Sequence, residues 1–170
     1  MSNKKTKKKI IIGTLIVLIL LLTISTSQAG TFEELNDNIT DTRDGETLTL
    51  NDDYTNTDNQ DITINRNITI NGQGRIIDLN AQNKHILIVN GNTVTLNNIT
   101  LINGMYDIGR GGVIYNTGNL TIINSTFNNN KALANAIGMG GVIYNHNNGN
   151  LNIKNTVFTN NTAYTWWSNL

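Results

Sequence analysis

From Ile62 onward, apolar and polar residues alternate in short bursts. Ile68-Thr69-Ile70, Val94-Thr95-Leu96 and Leu120-Thr121-Ile122 each put two apolar side chains on one side and a threonine on the other. A period of two marks a strand with one buried face. The bursts also recur. A shift of 26 residues lays Ile68, Val94 and Leu120 on one another, and does the same for Ile70, Leu96 and Ile122, for Thr69, Thr95 and Thr121, and for Ile62, Ile88 and Ile114. Leu101 then meets Phe127, Thr100 meets Thr126, Asn98 meets Asn124, and Asn103 meets Asn129. The next copy is stretched: Ile114 to Ile143 spans 29 residues, while Leu120 to Leu151 and Phe127 to Phe158 span 31. The surplus falls in Ala132–Met139 and His146–Gly149, where loops are expected. Self-similarity at a fixed period predicts a solenoid.

No repeat carries a helical stripe, and the spacing does not fit a leucine-rich framework. Three short strands per coil do fit, for example Val113–Asn116, Leu120–Ile123 and Thr126–Asn128. Each should lie ~4.8 Å above its counterpart in parallel pairing, with right-handed connections. The fold class read from the pattern is all-β, a right-handed parallel β-helix with coils of about 26 residues. Asn98, Asn124 and Asn155 fall at a corner, where asparagine tolerates a left-handed backbone and amides can stack in a ladder. Gly111-Gly112 and Gly140-Gly141 precede strands and read as corners needing positive φ, not as a phosphate cradle opening a helix. Ahead of the repeats, Thr31 with Glu34 three residues later has the form of a capping box. Phe32, Leu35 and Ile39 make the apolar stripe of a short helix that would shield the open first coil, and Leu48-Thr49-Leu50 follows as a strand.

The ends and the charge add a location. Lys4, Lys5, Lys7, Lys8 and Lys9 lead an uncharged run, Ile10–Ile24, and Ser27-Gln28-Ala29 supplies small residues for cleavage after Ala29. That is the anatomy of a secretory signal peptide; the run of 15 residues is shorter than the ~20 of a membrane span. The alternative is an uncleaved signal anchor, and both place the remainder outside the cytoplasm. The organisation expected is 1–29 leader, 30–60 N-terminal cap region, 61–163 β-helix repeats and 164–170 tail. Without the leader, seven basic residues face 12 acidic ones, a net of −5, which argues against nucleic acid as a partner. With no cysteine, disulfides and thiolate metal sites are excluded. In the tail, Tyr164, Trp166 and Trp167 either fold over the last coil or mark a chain shortened from a longer one.

Gly111-Gly112-Val113-Ile114-Tyr115-Asn116 with Phe127-Asn128-Asn129-Asn130, and again Gly140–Asn145 with Phe158-Thr159-Asn160-Asn161, resemble the paired GGA[ILV] and FxxN motifs of chlamydial polymorphic outer membrane protein repeats. The stretch from about 30 to 163 is similar to the adhesin-like surface proteins of methanogenic archaea, both in its opening, Thr31–Tyr54, and in coils such as Ile64–Gly72. The resemblance implies a right-handed β-helix of pectate-lyase-like form at the cell surface with roles in attachment. Members of that group are usually much longer.

Many β-helices cleave acidic polysaccharides, which needs clustered carboxylates or calcium ligands. Beyond Asp61 only Asp78 and Asp107 are acidic, and they share no column. Arg66, Arg75 and Arg110 are candidate lyase bases without a calcium site beside them. His85 and His146 fall in different columns and read as surface residues. The one dense acidic stretch, Asp52, Asp53, Asp58 and Asp61, reads as a solvated turn, with calcium binding as its functional alternative. No catalytic residue, cofactor or metal ligand is therefore assigned. The function expected is a non-catalytic, exported module for adhesion or surface interaction, with glycans or surface proteins of neighbouring cells as partners; a polysaccharide lyase or hydrolase is the alternative. Six sequons, at Asn38, Asn67, Asn98, Asn119, Asn124 and Asn160, are candidate N-glycosylation sites.

Overall fold

Alternation becomes parallel pairing in the computed structural model, which describes residues 28–107, 110–134 and 139–165. Strand β1 (Gly30–Thr31) leads into helix α1 (Phe32–Asp41). A partial first coil carries β2 (Thr47–Thr49) and β3 (Tyr54–Thr55), and a second carries β4 (Ile62–Ile64), β5 (Ile68–Asn71) and β6 (Ile76–Asp78). The third has β7 (Ile86–Ile88), β8 (Thr93–Asn97), β9 (Thr100–Ile102) and β10 (Met105–Tyr106). The fourth repeats them as β11 (Ile114–Asn116), β12 (Asn119–Ile123), β13 (Thr126–Asn128) and β14 (Lys131–Ala134). The fifth ends with β15 (Ile143–Asn145), β16 (Asn150–Lys154), β17 (Val157–Thr159) and β18 (Thr162–Thr165). The leader up to Ser27 and the tail residues Trp166 and Trp167 lie outside the described residues. Among the described residues, no helix is long and apolar enough to cross a membrane.

Following the coil, the strands stack into a first sheet in the order β4-β7-β11-β15, a second, β2-β5-β8-β12-β16, and a third, β1-β3-β6-β9-β13-β17. These are the three strands expected per coil. A smaller fourth sheet, β10-β14-β18, joins them from the third coil on. All of these pairings are parallel, which closes a β-solenoid of about four turns around one apolar interior. Ile68, Ile70, Val94, Leu96, Leu120 and Ile122 point inward and are at most 3% exposed, whereas Thr69, Thr95 and Thr121 pair in register on the outer face. That threonine column starts one coil earlier, at Thr47, and ends at Asn152.

The register departs from a uniform 26 in the first sheet. Ile62 pairs with Ile86, not with Ile88, and Ile86 pairs with Ile114. Ile88 stands two residues on, between Ile64 and Asn116. The steps of 24 and then 28 residues sum to two whole repeats, so Ile62 and Ile114 do share a column. A two-residue slip keeps the same side chains inward, whereas a one-residue slip would turn the strand inside out. The corner after the first sheet absorbs the difference.

Asparagine builds the corners. Asn98, Asn124 and Asn155 adopt φ of 52°, 52° and 50°, as expected for the turn between the second and third sheets. Asn155 donates to the Asn124 Oδ1 at 3.3 Å, but Asn124 reaches Asn97 at 3.5 Å and not Asn98. A better-formed ladder lies at the next corner, where Asn103, Asn129 and Asn160 have φ of 54°, 58° and 54°. There Asn129 donates to Asn103 at 2.7 Å, and Asn103 to Asp78 at 3.0 Å. In each glycine pair only the first member, Gly111 or Gly140, has positive φ. The second is small for another reason: a Cβ at Gly112 would collide with the Gly141 carbonyl of the next coil.

The last residue of the first FxxN motif is buried, and that of the second, Asn161, is half-buried. Asn130, 0% exposed, accepts from the Gly104 N–H at 2.7 Å and donates to the Leu101 carbonyl at 3.3 Å and to Asn161 Oδ1 at 3.0 Å. Asn161 in turn donates to the Phe127 carbonyl. These amides satisfy backbone groups that the sharp corner removes from the strand ladders. At the N-terminal end, α1 begins with the expected capping box and buries Phe32, Leu35 and Ile39 against the first coils. Arg66 donates to the carbonyls of Thr40 and Thr42 at the end of that helix, so its charge is used in capping.

Two substitutions test the interior. Ile122→Asp should cost about 4 kcal/mol or more in urea unfolding, because it buries an unpaired carboxylate, whereas Thr121→Asp on the outer face should cost about 1 kcal/mol or less. Equal losses would mean that the faces are misassigned. Asn130→Ala should cost about 2–4 kcal/mol by orphaning the Gly104 N–H and the Leu101 carbonyl, while Asn129→Gly, which keeps the left-handed corner, should cost about 1.

Candidate functional site

The first sheet's outer face is where this solenoid departs from a threonine-and-asparagine surface. The glycine pair ahead of β11 and β15 sets the alternation so that Val113 and Ile114 go inward and Tyr115 goes out. Pairing then stacks Thr63, Leu87, Tyr115 and Tyr144 in one outward column. The Tyr115 and Tyr144 rings lie 5.4 Å apart, centroid to centroid. His146, two residues beyond Tyr144, stacks on Tyr115 at 5.8 Å with 25° between the planes. On the other side, His85 lies 6.2 Å from Tyr115 and 4.4 Å from Tyr106, which comes from β10. The Arg110 guanidinium sits 5.7 Å above the Tyr144 ring, a cation–π distance. His85, Leu87, Tyr106, Arg110 and Tyr115 line an open groove of about 400 Å³.

The two histidines, read from their columns as separate surface residues, thus belong to one cluster bridged by Tyr115. The reason lies in the first-sheet register and in the loop bearing His146, which returns toward Tyr115. His85 is also not a free surface group, since its side chain is 15% exposed. Its Nδ1 is buried, 3.5 Å from Asp61 Oδ1, beyond a good hydrogen bond. Asp61 instead accepts from the His85 backbone N–H at 3.0 Å and from Lys84 Nζ at 3.3 Å. Burial lowers the His85 pKa from its ordinary 6.5, outweighing the opposing pull of Asp61; Lys84 pushes the same way as burial. Burial likewise raises the Tyr106 pKa, with Asp61 and Asp107 adding to it.

The other charged candidates do local structural work. Asp78 accepts from the Asn80 N–H and from Asn103. In the acidic stretch, Asp53 caps the Ile76 N–H and Asp58 caps the Glu33 N–H. No group of three or more metal-ligating side chains gathers among the described residues. The sequons differ in how committed their amides are. Asn38 donates to the Tyr54 hydroxyl, Asn67 to Asp44, Asn119 to Thr93, Asn124 to Asn97 and Asn160 to Asn128. Asn98 is exposed and has no side-chain hydrogen bond of this kind.

The tyrosine–histidine strip escaped the sequence reading because Tyr115 and Tyr144 sit inside the glycine motif and read as part of a strand. The available signal was that both occupy the outward position of that motif. No protein-family model, curated protein or solved structure matches the chain.

The buried imidazole has a pH signature. Its folded pKa is lowered, so below pH 6.5 the unfolded chain takes up a proton that the folded one resists, and stability falls as pH drops through that range. Urea midpoints should therefore fall between about pH 7.5 and 5.5, and His85→Gln should flatten the slope. An unchanged slope would mean that the imidazole is not shielded.

Proposed function

We propose that this chain is an adhesin-like, exported surface module that binds glycans or surface proteins of neighbouring cells without chemically altering them. The observation that carries the reading is the outward strip of Tyr106, Tyr115, Tyr144, His85 and His146 edged by Arg110. The interior is built from other residues, so the fold does not need these rings for its core. Tyrosine and arginine are the residue types that carry interface energy, offering large amphipathic area with few rotatable bonds. Their mounting on a hydrogen-bonded sheet fixes their spacing before a ligand arrives, which lowers the entropic cost of binding. The leader Lys4–Ala29 supports export, and the motif resemblance to surface repeats supports the same location.

A polysaccharide-cleaving enzyme is the second reading. One observation favours it: His85, Tyr106 and Arg110, a potential base and its electrostatic partner among them, border the same groove.

Intact cells separate the two. The module should be accessible to antibody, be lost to external protease, and leave polygalacturonate uncut with or without calcium. Tyr115→Ala with Tyr144→Ala should reduce cell attachment several-fold while circular dichroism stays β-rich. Cleavage that vanishes with His85→Gln, Asp78→Asn or Asp107→Asn would establish the enzyme, and protein found only in the cytoplasm with Lys4–Ala29 attached would end the surface reading.

A further inference from the structure

We infer that the groove bounded by His85, Leu87, Tyr106, Arg110 and Tyr115 is a binding site for a sugar unit bearing a carboxylate, within a uronate-type glycan; this rests on the surface-binding reading above. Its floor is apolar. Leu87 occupies an outward strand position between Thr63 and Tyr115, where an aliphatic side chain contributes nothing to the core. Its walls are Tyr106, tilted at 58° against His85 with centroids 4.4 Å apart, and Tyr115. A pyranose ring has an apolar C–H face and a polar rim, and such a surface packs on leucine and tyrosine rings while its hydroxyls meet phenol and imidazole groups. About 400 Å³ suits a small ligand, and the groove is open to solvent.

Charge selects among glycans. Lys84 is engaged by Asp61 at 3.3 Å. Arg110 has no carboxylate within ion-pair distance among the described residues, and Tyr144 holds its guanidinium at the groove edge. A guanidinium so placed matches a planar carboxylate by two parallel hydrogen bonds. Asp61 and then Asp107 are close enough to add to burial in raising the Tyr106 pKa, and both oppose an anion; Lys84 already engages Asp61, which leaves Asp107 as the brake on affinity. Among the described residues lining the groove, Arg110 is the one Lys or Arg, too few for a phosphate chain, whose binding scales with the number of charges neutralised.

The test uses the full chain on beads, so that many copies face the ligand, and two probes: oligogalacturonate and the same oligosaccharide fully methyl-esterified. The acid form should be retained about ten-fold more strongly than the ester. Arg110→Gln should erase that difference by weakening the acid form alone, Asp107→Asn should widen it, and Tyr115→Ala should lower retention of both. Equal retention of acid and ester by the unaltered chain overturns the carboxylate assignment, as does indifference to both Arg110→Gln and Asp107→Asn. If neither probe is retained while the beads still adhere to cells, the glycan site is wrong and the surface-binding reading stands. If adherence is lost as well, both fall.

Discussion

Parallel pairing between successive coils governs almost every residue choice in this protein. Each strand takes its hydrogen bonds from the coil below and offers its own to the coil above, so a side chain meets the same position of its neighbours every ~4.8 Å. An inward position must therefore be apolar or, like Asn116 stacked on Ile88, have its amide fully hydrogen-bonded, because an unpartnered polar group would lose its water for nothing. An outward column tolerates threonine, leucine or tyrosine. The threonine column from Thr47 to Thr121 and the ring column at Tyr115 and Tyr144 are two fillings of the same kind of site. The first is a β-branched surface row. The second concentrates aromatic side chains.

Corners are the second constraint, and asparagine answers it in two chemically distinct ways. Outside, Asn98, Asn124, Asn129 and Asn160 accept the left-handed backbone that lets a strand end abruptly. Inside, Asn130, like Asn116 and Asn56, is fully buried and works as a surrogate strand, pairing backbone groups stranded by the turn. A serine would be too short to span these gaps, and an aliphatic residue would leave them open. The abundance of asparagine thus reflects geometry more than surface polarity.

Much of this was legible from residue order alone. Alternation at Ile68-Thr69-Ile70 and its echoes revealed the stacking, and Thr31 with Glu34 revealed the capped helix, because both rest on local rules. Ile88 was misplaced, since a two-residue slip is invisible to a reading that sees only which face is apolar. The buried role of Asn130 was hidden because an asparagine at a corner looks the same whether its amide faces water or carbonyls. The strip was hidden for a third reason. Tyr106, Tyr115 and His146 are distant in sequence, and their meeting depends on register and corner length, quantities that repeat spacing fixes only on average.

That corner length has an evolutionary consequence. Ile64 to Ile68 spans four residues, Ile88 to Val94 six, Asn116 to Leu120 four, and Asn145 to Leu151 six, while the second sheet keeps its pairing throughout. Insertions and deletions in even steps are thereby silent to the interior at this edge. The edge adjoins the aromatic strip, so genetic drift in loop length can reshape the rim of that strip while the scaffold is inherited intact.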